Sequence, residues 1–174
     1  MGDSIRLCRP SLDLESEYVA FYEDWVKSGE DMVPWVISRE PYDFKGMLAF
    51  LLDNEKADRV PEGWVPSSTY WLVTDSRKVV GVVNIRHSLT RKLFETGGHI
   101  GYGIRPSERR KGYASQLLAL ALHQARELGI QRALLVCDEK NVGSEKTIRK
   151  NGGIHDTRFV EENGNVILRF WIQL

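Results

Sequence analysis

Arg109-Arg110-Lys111-Gly112-Tyr113-Ala114 falls between a stretch that reads as a strand and one that reads as a long helix. At such a junction, free backbone N–H groups and the positive end of the helix attract anions. Gly112 can adopt the backbone angles that turn several N–H groups inward, and small Ala114 lets a ligand approach the first helical turn closely. Arg109 and Lys111 add charge, while Pro106 ends the preceding strand and fixes where the turn begins. The chemistry expected of this segment is phosphate binding. A solvated basic loop is the plain alternative, and the position directly before a fifteen-residue amphipathic helix argues against it. Two commoner nucleotide-binding designs fit worse. There is no G-x-x-x-x-G-K-[ST], and Gly101-Tyr102-Gly103 lacks the third glycine of a dinucleotide fingerprint.

The elements that must position this turn are legible in the periodicity. Ala114 to Leu128 carries Leu117, Leu118, Ala121, Leu122 and Ala125 on one stripe, with Gly129 past its end, and is predicted to be a helix. His99 to Ile104 before it is predicted to be a strand. Ala133 to Cys137 after it is a continuous apolar run, as in a strand buried on both faces of a parallel pair. Upstream, Ile5 to Cys8 reads as a first strand, and Leu14 to Val26 as a helix stopped by Ser28-Gly29. Phe44 to Leu52 reads as a second helix that begins after Pro41 and ends near Asn54. Thr69 to Thr74 and Val79 to Ile85 form a hairpin about Asp75-Ser76-Arg77. A short helix from Val142 to Asn151 and a hairpin turning at Asn163-Gly164 close the chain. This order predicts one α/β domain over residues 4–174: a mixed, mostly antiparallel sheet of about six or seven strands, helices on both faces, and a parallel pair near its middle.

Composition narrows the function classes. The 174 residues are 42% hydrophobic and 28% charged, the balance of a globular protein. Lys plus Arg equals Asp plus Glu at 24 each, so any anion site must be local. Nucleic-acid binding through Arg105, Arg109, Arg110 and Lys111 is disfavoured by that balance and by the lack of interleaved aromatics. Cys8 and Cys137 make no spaced framework, and His87 and His155 have no partners at metal-ligand spacing, so no metal is expected. A reducing cytoplasm is the expected location, with no membrane association.

Arg109-x-x-Gly112-x-Ala114 resembles the [QR]-x-x-G-x-[GA] pyrophosphate loop of the GNAT superfamily of N-acetyltransferases, preceded by a strand ending in Ile104-Arg105-Pro106. Asn141-Val142-Gly143-Ser144 resembles the N-x-x-[SA] element of the same family. The string from His99 to Pro106 is also similar to a bacterial subgroup of predicted acetyltransferases. The resemblance is specific over residues 98–153. It implies acetyl-CoA as cofactor and a splayed central strand whose backbone around Ile104 pairs with the pantetheine arm. It also implies that the amides of Arg110, Lys111, Gly112, Tyr113 and Ala114 hold the pyrophosphate, with Arg109 and Ser115 assisting and Asn141 and Ser144 near the thiol end. The expected partners are acetyl-CoA and an amine acceptor, and a homodimer is compatible with them.

Acetyl transfer requires the amine to lose a proton and the departing thiolate to gain one. His99 is the base expected by residue type and place, with Glu95 next. Many family members place a tyrosine seven residues after the asparagine, and here that position is Ile148. Proton donation is then left to water, Ser144, or another tyrosine such as Tyr102. Asp31, Trp35 and Tyr42 lie between the two early helices and are expected to line the acceptor pocket. The expected function is acetyl transfer from acetyl-CoA to a primary amine of a small molecule or protein. The alternative is a catalytically weak CoA-binding module of the same fold, motivated by Ile148.

Overall fold

The structure is a computed structural model and describes residues 3–174. Eight strands, β1 (Ile5–Cys8), β2 (Ser67–Thr74), β3 (Val79–Arg86), β4 (Ile100–Ile104), β5 (Arg132–Asp138), β6 (Ile154–His155), β7 (Phe159–Val160) and β8 (Val166–Gln173), combine with four α-helices. The helices are α1 (Glu15–Ser28), α2 (Phe44–Asp53), α3 (Tyr113–Glu127) and α4 (Val142–Lys150). Six strands have four residues or more, and β6 and β7 are two-residue pieces that the sequence did not announce.

The strands form two antiparallel sheets, ordered β1-β2-β3-β4 and β5-β8-β6, with β7 also on β8. Alternation along β2 sends Tyr70 and Leu72 to one face and Trp71 and Val73 to the other. Against the second face pack α1, through Tyr18, Phe21, Tyr22 and Trp25, and α2, through Phe44, Met47 and Leu51. Tyr18 stacks on Trp71 with ring centroids 4.2 Å apart. Against the first face packs α3, whose Leu117, Leu118, Ala121 and Ala125 also meet Leu135 and Phe170 of the second sheet. One helix therefore covers both sheets, and its fifteen residues bury a stripe at three- and four-residue spacing.

The helix boundaries have local causes. Asp43 caps α2 by accepting the Gly46 N–H at 3.1 Å. Gly29, in the left-handed region at φ 69°, ends α1.

Among the described residues, the two sheets are hydrogen-bonded to each other through one residue pair. The His99 N–H donates to Leu134 O at 2.7 Å, and the Leu134 N–H donates back to His99 Nδ1 at 2.9 Å. Gly98 makes this approach feasible: its φ is 69°, and a Cβ there would lie 2.6 Å from Leu134 O. The parallel pair expected from the sequence is thus a contact of β4 and β5 at their closed end, while the regular partner of β5 along its whole length is antiparallel β8. Beyond His99 the two strands part. No helix among the described residues is long and apolar enough to cross a membrane.

Candidate active site

A cleft of about 650 Å³ lies between β4 and α4, and the turn between β4 and α3 forms one wall. That turn is braced from beneath. Asp24, on α1, accepts the Ser107 N–H at 3.0 Å and faces Arg105 at 3.5 Å. Glu108 is buried and binds Lys111 and Lys78, each at 2.7 Å. These two ammonium groups hold its carboxyl below the usual range.

Above this brace the backbone takes left-handed angles at Arg110 (φ 62°) and Gly112 (φ 82°). For Arg110, a residue with a side chain, that conformation costs on the order of 1–2 kcal/mol. Among the described residues, the N–H groups of Arg110 through Ser115 have no acceptor within the protein. These six donors, at a concave turn and the first turn of α3, make an anion cradle in which the helix dipole and the backbone act together.

The basic side chains of the turn are less free than the sequence suggests. Arg109 is tied to Glu30 at 2.7 Å, donates from Nε to Ile104 O at 3.3 Å, and lies 5.2 Å from the centroid of the Trp25 ring. Lys111 is held by Glu108 and does not line the cleft, whereas Arg110 does. Two further cations, Lys146 and Lys150, line it from α4. They went unassigned in the sequence, although their four-residue spacing on a helix places both on one face.

The edge of β4 completes the cleft. His99 O accepts from Arg86 and the Arg105 N–H donates to Val80 O. By the alternation of an antiparallel ladder, the backbone groups of Tyr102 and Ile104 then point away from β3, into the split. Across the split, Tyr102 Oη and Ser144 Oγ lie 3.0 Å apart. Burial pushes the Tyr102 hydroxyl up to about 12. Asn141 caps α4 by accepting the Ser144 N–H at 3.1 Å. Ile104, Arg109, Arg110, Gly112, Tyr113, Ala114, Ser115, Asn141 and Ser144 all line this one cleft. Ile148 is fully buried in the core.

The expected bases are placed elsewhere. His99 is buried, its Nδ1 is engaged by Leu134, and burial, with Arg86 nearby, pushes its pKa down to about 4. It does not line the cleft, so its position corrects the expectation of a base and makes it the tie between the sheets. Glu95 sits in the helical turn Leu93–Gly97, paired with Arg91 at 3.1 Å, and is also outside the cleft.

The three expected acceptor residues do not come together. Asp31 lines the cleft. Trp35 lines a second cavity of about 550 Å³. Tyr42 is exposed and lines neither, meeting the Tyr22 ring edge-on at 5.9 Å. Between the two cavities, Pro34 rests on Gly101, where a Cβ would be 3.2 Å from the proline Cβ, and Val33 O occupies the space a Gly103 side chain would need. The two glycines of β4, which read from sequence as interruptions of a strand, are what let this loop lie flat on it.

The acetyltransferase (GNAT) domain family matches residues 6–154. A search of curated protein sequences found no match. Among solved structures, the chain is similar to a microcin self-immunity acetyltransferase in complex with acetyl-CoA and AMP, at 15% identity and a TM-score of 0.70, covering 99% of this chain and 94% of that one. It is also similar to an acetyl transferase from Salmonella typhimurium that modifies the N-terminal serine of a ribosomal subunit protein, at 16% identity and 0.67, covering 99% and 96%. A dodecameric spermidine N-acetyltransferase from Vibrio cholerae matches at 16% identity and 0.66, covering 97% and 93%. At these identities the likeness is one of fold.

Proposed function

Because the chain belongs to the GNAT acetyltransferase family, we propose that it binds acetyl-CoA in the split between β4 and β5 and transfers the acetyl group to a primary amine of a small molecule or protein. The observation that carries this reading is the row of unpartnered amides from Arg110 to Ser115 at the mouth of an unpaired strand edge. A pyrophosphate fits the amides, and an extended amide-bearing arm fits the edge by strand addition. A bound acetyl-CoA supplies an electrophilic thioester carbonyl.

The chain's own residues do the rest. Lys146 and Lys150 screen the phosphates. Tyr102, protonated at all working pH values, donates a proton toward the departing sulfur, with Ser144 fixing the direction of its hydroxyl. Tyr102 then fills the part that Ile148 cannot. Of the carboxylates lining the cleft, Glu30 is held by Arg109 and Glu108 by two lysines, so Asp31 is the one that meets the acceptor ammonium.

Calorimetric titration with acetyl-CoA, followed by thiol release over a panel of amines, tests the reading. Binding and at least one turned-over amine are expected, and no binding of acetyl-CoA overturns it. Ile148 favours one second reading, a CoA-binding module, which tight binding without turnover across the panel would establish.

A further inference from the structure

The second cavity has a composition unlike the cleft. Its walls include Trp35, Trp64, Arg86, Thr90, Lys92 and Thr96, and among the described residues no carboxylate lines it. Trp35 and Trp64 meet at 72° with centroids 5.2 Å apart, and Phe50 backs Trp35 edge-on at 5.8 Å, so the aromatic corner is held from behind. Arg86 donates from Nη1 to the carbonyls of Gly97 and Gly98, at 3.0 and 3.2 Å. Among the described residues no acid is within ion-pair reach of it, and its Nε and Nη2 have no acceptor. Lys92 is exposed and has no ion-pair partner among the described residues, whereas neighbouring Arg91 is taken by Glu95. A half-buried guanidinium in the wall of an aromatic-lined cavity, fixed at one end and with further donors unpaired, matches a carboxylate on an apolar body. A polyamine entering here would meet only cations.

The cavity and the split are neighbours across a single residue of the loop. Arg86 Nη2 lies 3.5 Å from where a Gly101 Cβ would sit, one residue from Tyr102. The loop over β4 puts Val33 on the cleft and Trp35 on the cavity, with Pro34 as the wall between them.

We propose that this cavity recognises the acceptor, and that the acceptor is a small amine which also carries a carboxylate and an aromatic or apolar body, its carboxylate on Arg86 and its body against Trp35 and Trp64. The proposal rests on the acetyltransferase reading for the word acceptor, and on the cavity alone for the carboxylate.

Binding is measured by calorimetry with two amine-free probes, 3-phenylpropionate and its neutral isostere 3-phenylpropionamide. The acid is expected to bind roughly tenfold tighter than the amide. Arg86→Gln should erase that difference. Because Arg86 also holds the Gly97 and Gly98 carbonyls, the exposed-site variants Lys92→Gln and Trp64→Ala provide a second measure, each weakening the acid by roughly threefold or more with acetyl-CoA affinity unchanged. In turnover, an amine whose carboxylate lies several bonds from the nitrogen should exceed its carboxamide counterpart in kcat/KM by a similar factor. Equal binding of acid and amide, or acid binding indifferent to both surface variants, overturns the proposal whether or not any amine is acetylated. Failure of wild-type protein to bind acetyl-CoA would instead strike the acetyltransferase reading and leave the probe result standing.

Discussion

His99 and Leu134 exchange two hydrogen bonds, one from each N–H, and the return bond ends on the imidazole Nδ1 and not on a carbonyl. A side chain therefore substitutes for a rung of the ladder at the point where two sheets join. The ring must be neutral to accept that bond.

The pH consequence follows from the depressed pKa of about 4. Between that value and the ordinary histidine value of about 6.5, the unfolded chain binds more protons than the folded one. Stability contributed by His99 is thus complete above pH about 6.5 and is lost as pH falls toward 4, up to about 3 kcal/mol in all. Denaturant unfolding at pH 7.5 and 5 should show this loss. His99→Asn, which can still accept the Leu134 N–H, should unfold with a flatter pH dependence, and His99→Ala should cost about 1–3 kcal/mol at pH 7.5. An unchanged slope in the asparagine variant would remove His99 as its source.

Tyr102→Phe removes the hydroxyl that faces Ser144 and leaves the ring. A fall in kcat of roughly 10- to 100-fold is expected, with acetyl-CoA affinity within about twofold of wild type. Since burial raises the hydroxyl to about 12, wild-type kcat should stay flat on the alkaline side through pH about 10. An undiminished kcat in the phenylalanine variant would return proton donation to water.

Gly112 has open space around its missing Cβ, the nearest atom being Gln116 Nε2 at 3.7 Å, so substitution there acts through backbone angle and charge and not through a clash. Gly112→Ala should cost about 1 kcal/mol of backbone strain. Gly112→Asp should in addition raise the acetyl-CoA Kd by roughly tenfold or more, because it sets a negative charge beside the cradle. Equal affinities for the two variants would argue against an anion at this turn.

Gly103→Ala drives a methyl group into Val33 O. The loop must lift, with an expected loss of about 2–4 kcal/mol in thermal or denaturant unfolding. Gly101→Ala, at 3.2 Å from Pro34, should cost less. Reversal of that order would mean the loop is held by something other than the bare backbone of β4.

Much of the fold was legible because its signals are local. The stripe on α3, the Asp75-Ser76-Arg77 hairpin and the turn before α3 depend on neighbours in sequence, and each appeared within a residue or two of where its pattern placed it. What sequence could not supply were contacts across 35 and 42 residues, His99 with Leu134 and Tyr102 with Ser144. Residue type alone made His99 a base, but burial and one donor decide its chemistry. Trp35 and Tyr42 shared a loop region and a character, yet a few residues of backbone direction sent one into a cavity and the other to solvent.

The cations of the phosphate turn have a further consequence. Arg105, Arg109 and Lys111 each already face a carboxylate, Asp24, Glu30 and Glu108 respectively. Attraction at the cleft is therefore divided between peptide dipoles, whose orientation is built into the chain, and the side-chain charges of Arg110, Lys146 and Lys150. Ionic strength weakens the second kind more than the first, whose hydrogen bonds contact the anion directly. Raising salt should peel away one layer of affinity and leave a floor beneath it, and the height of that floor reports how much of the grip belongs to the backbone.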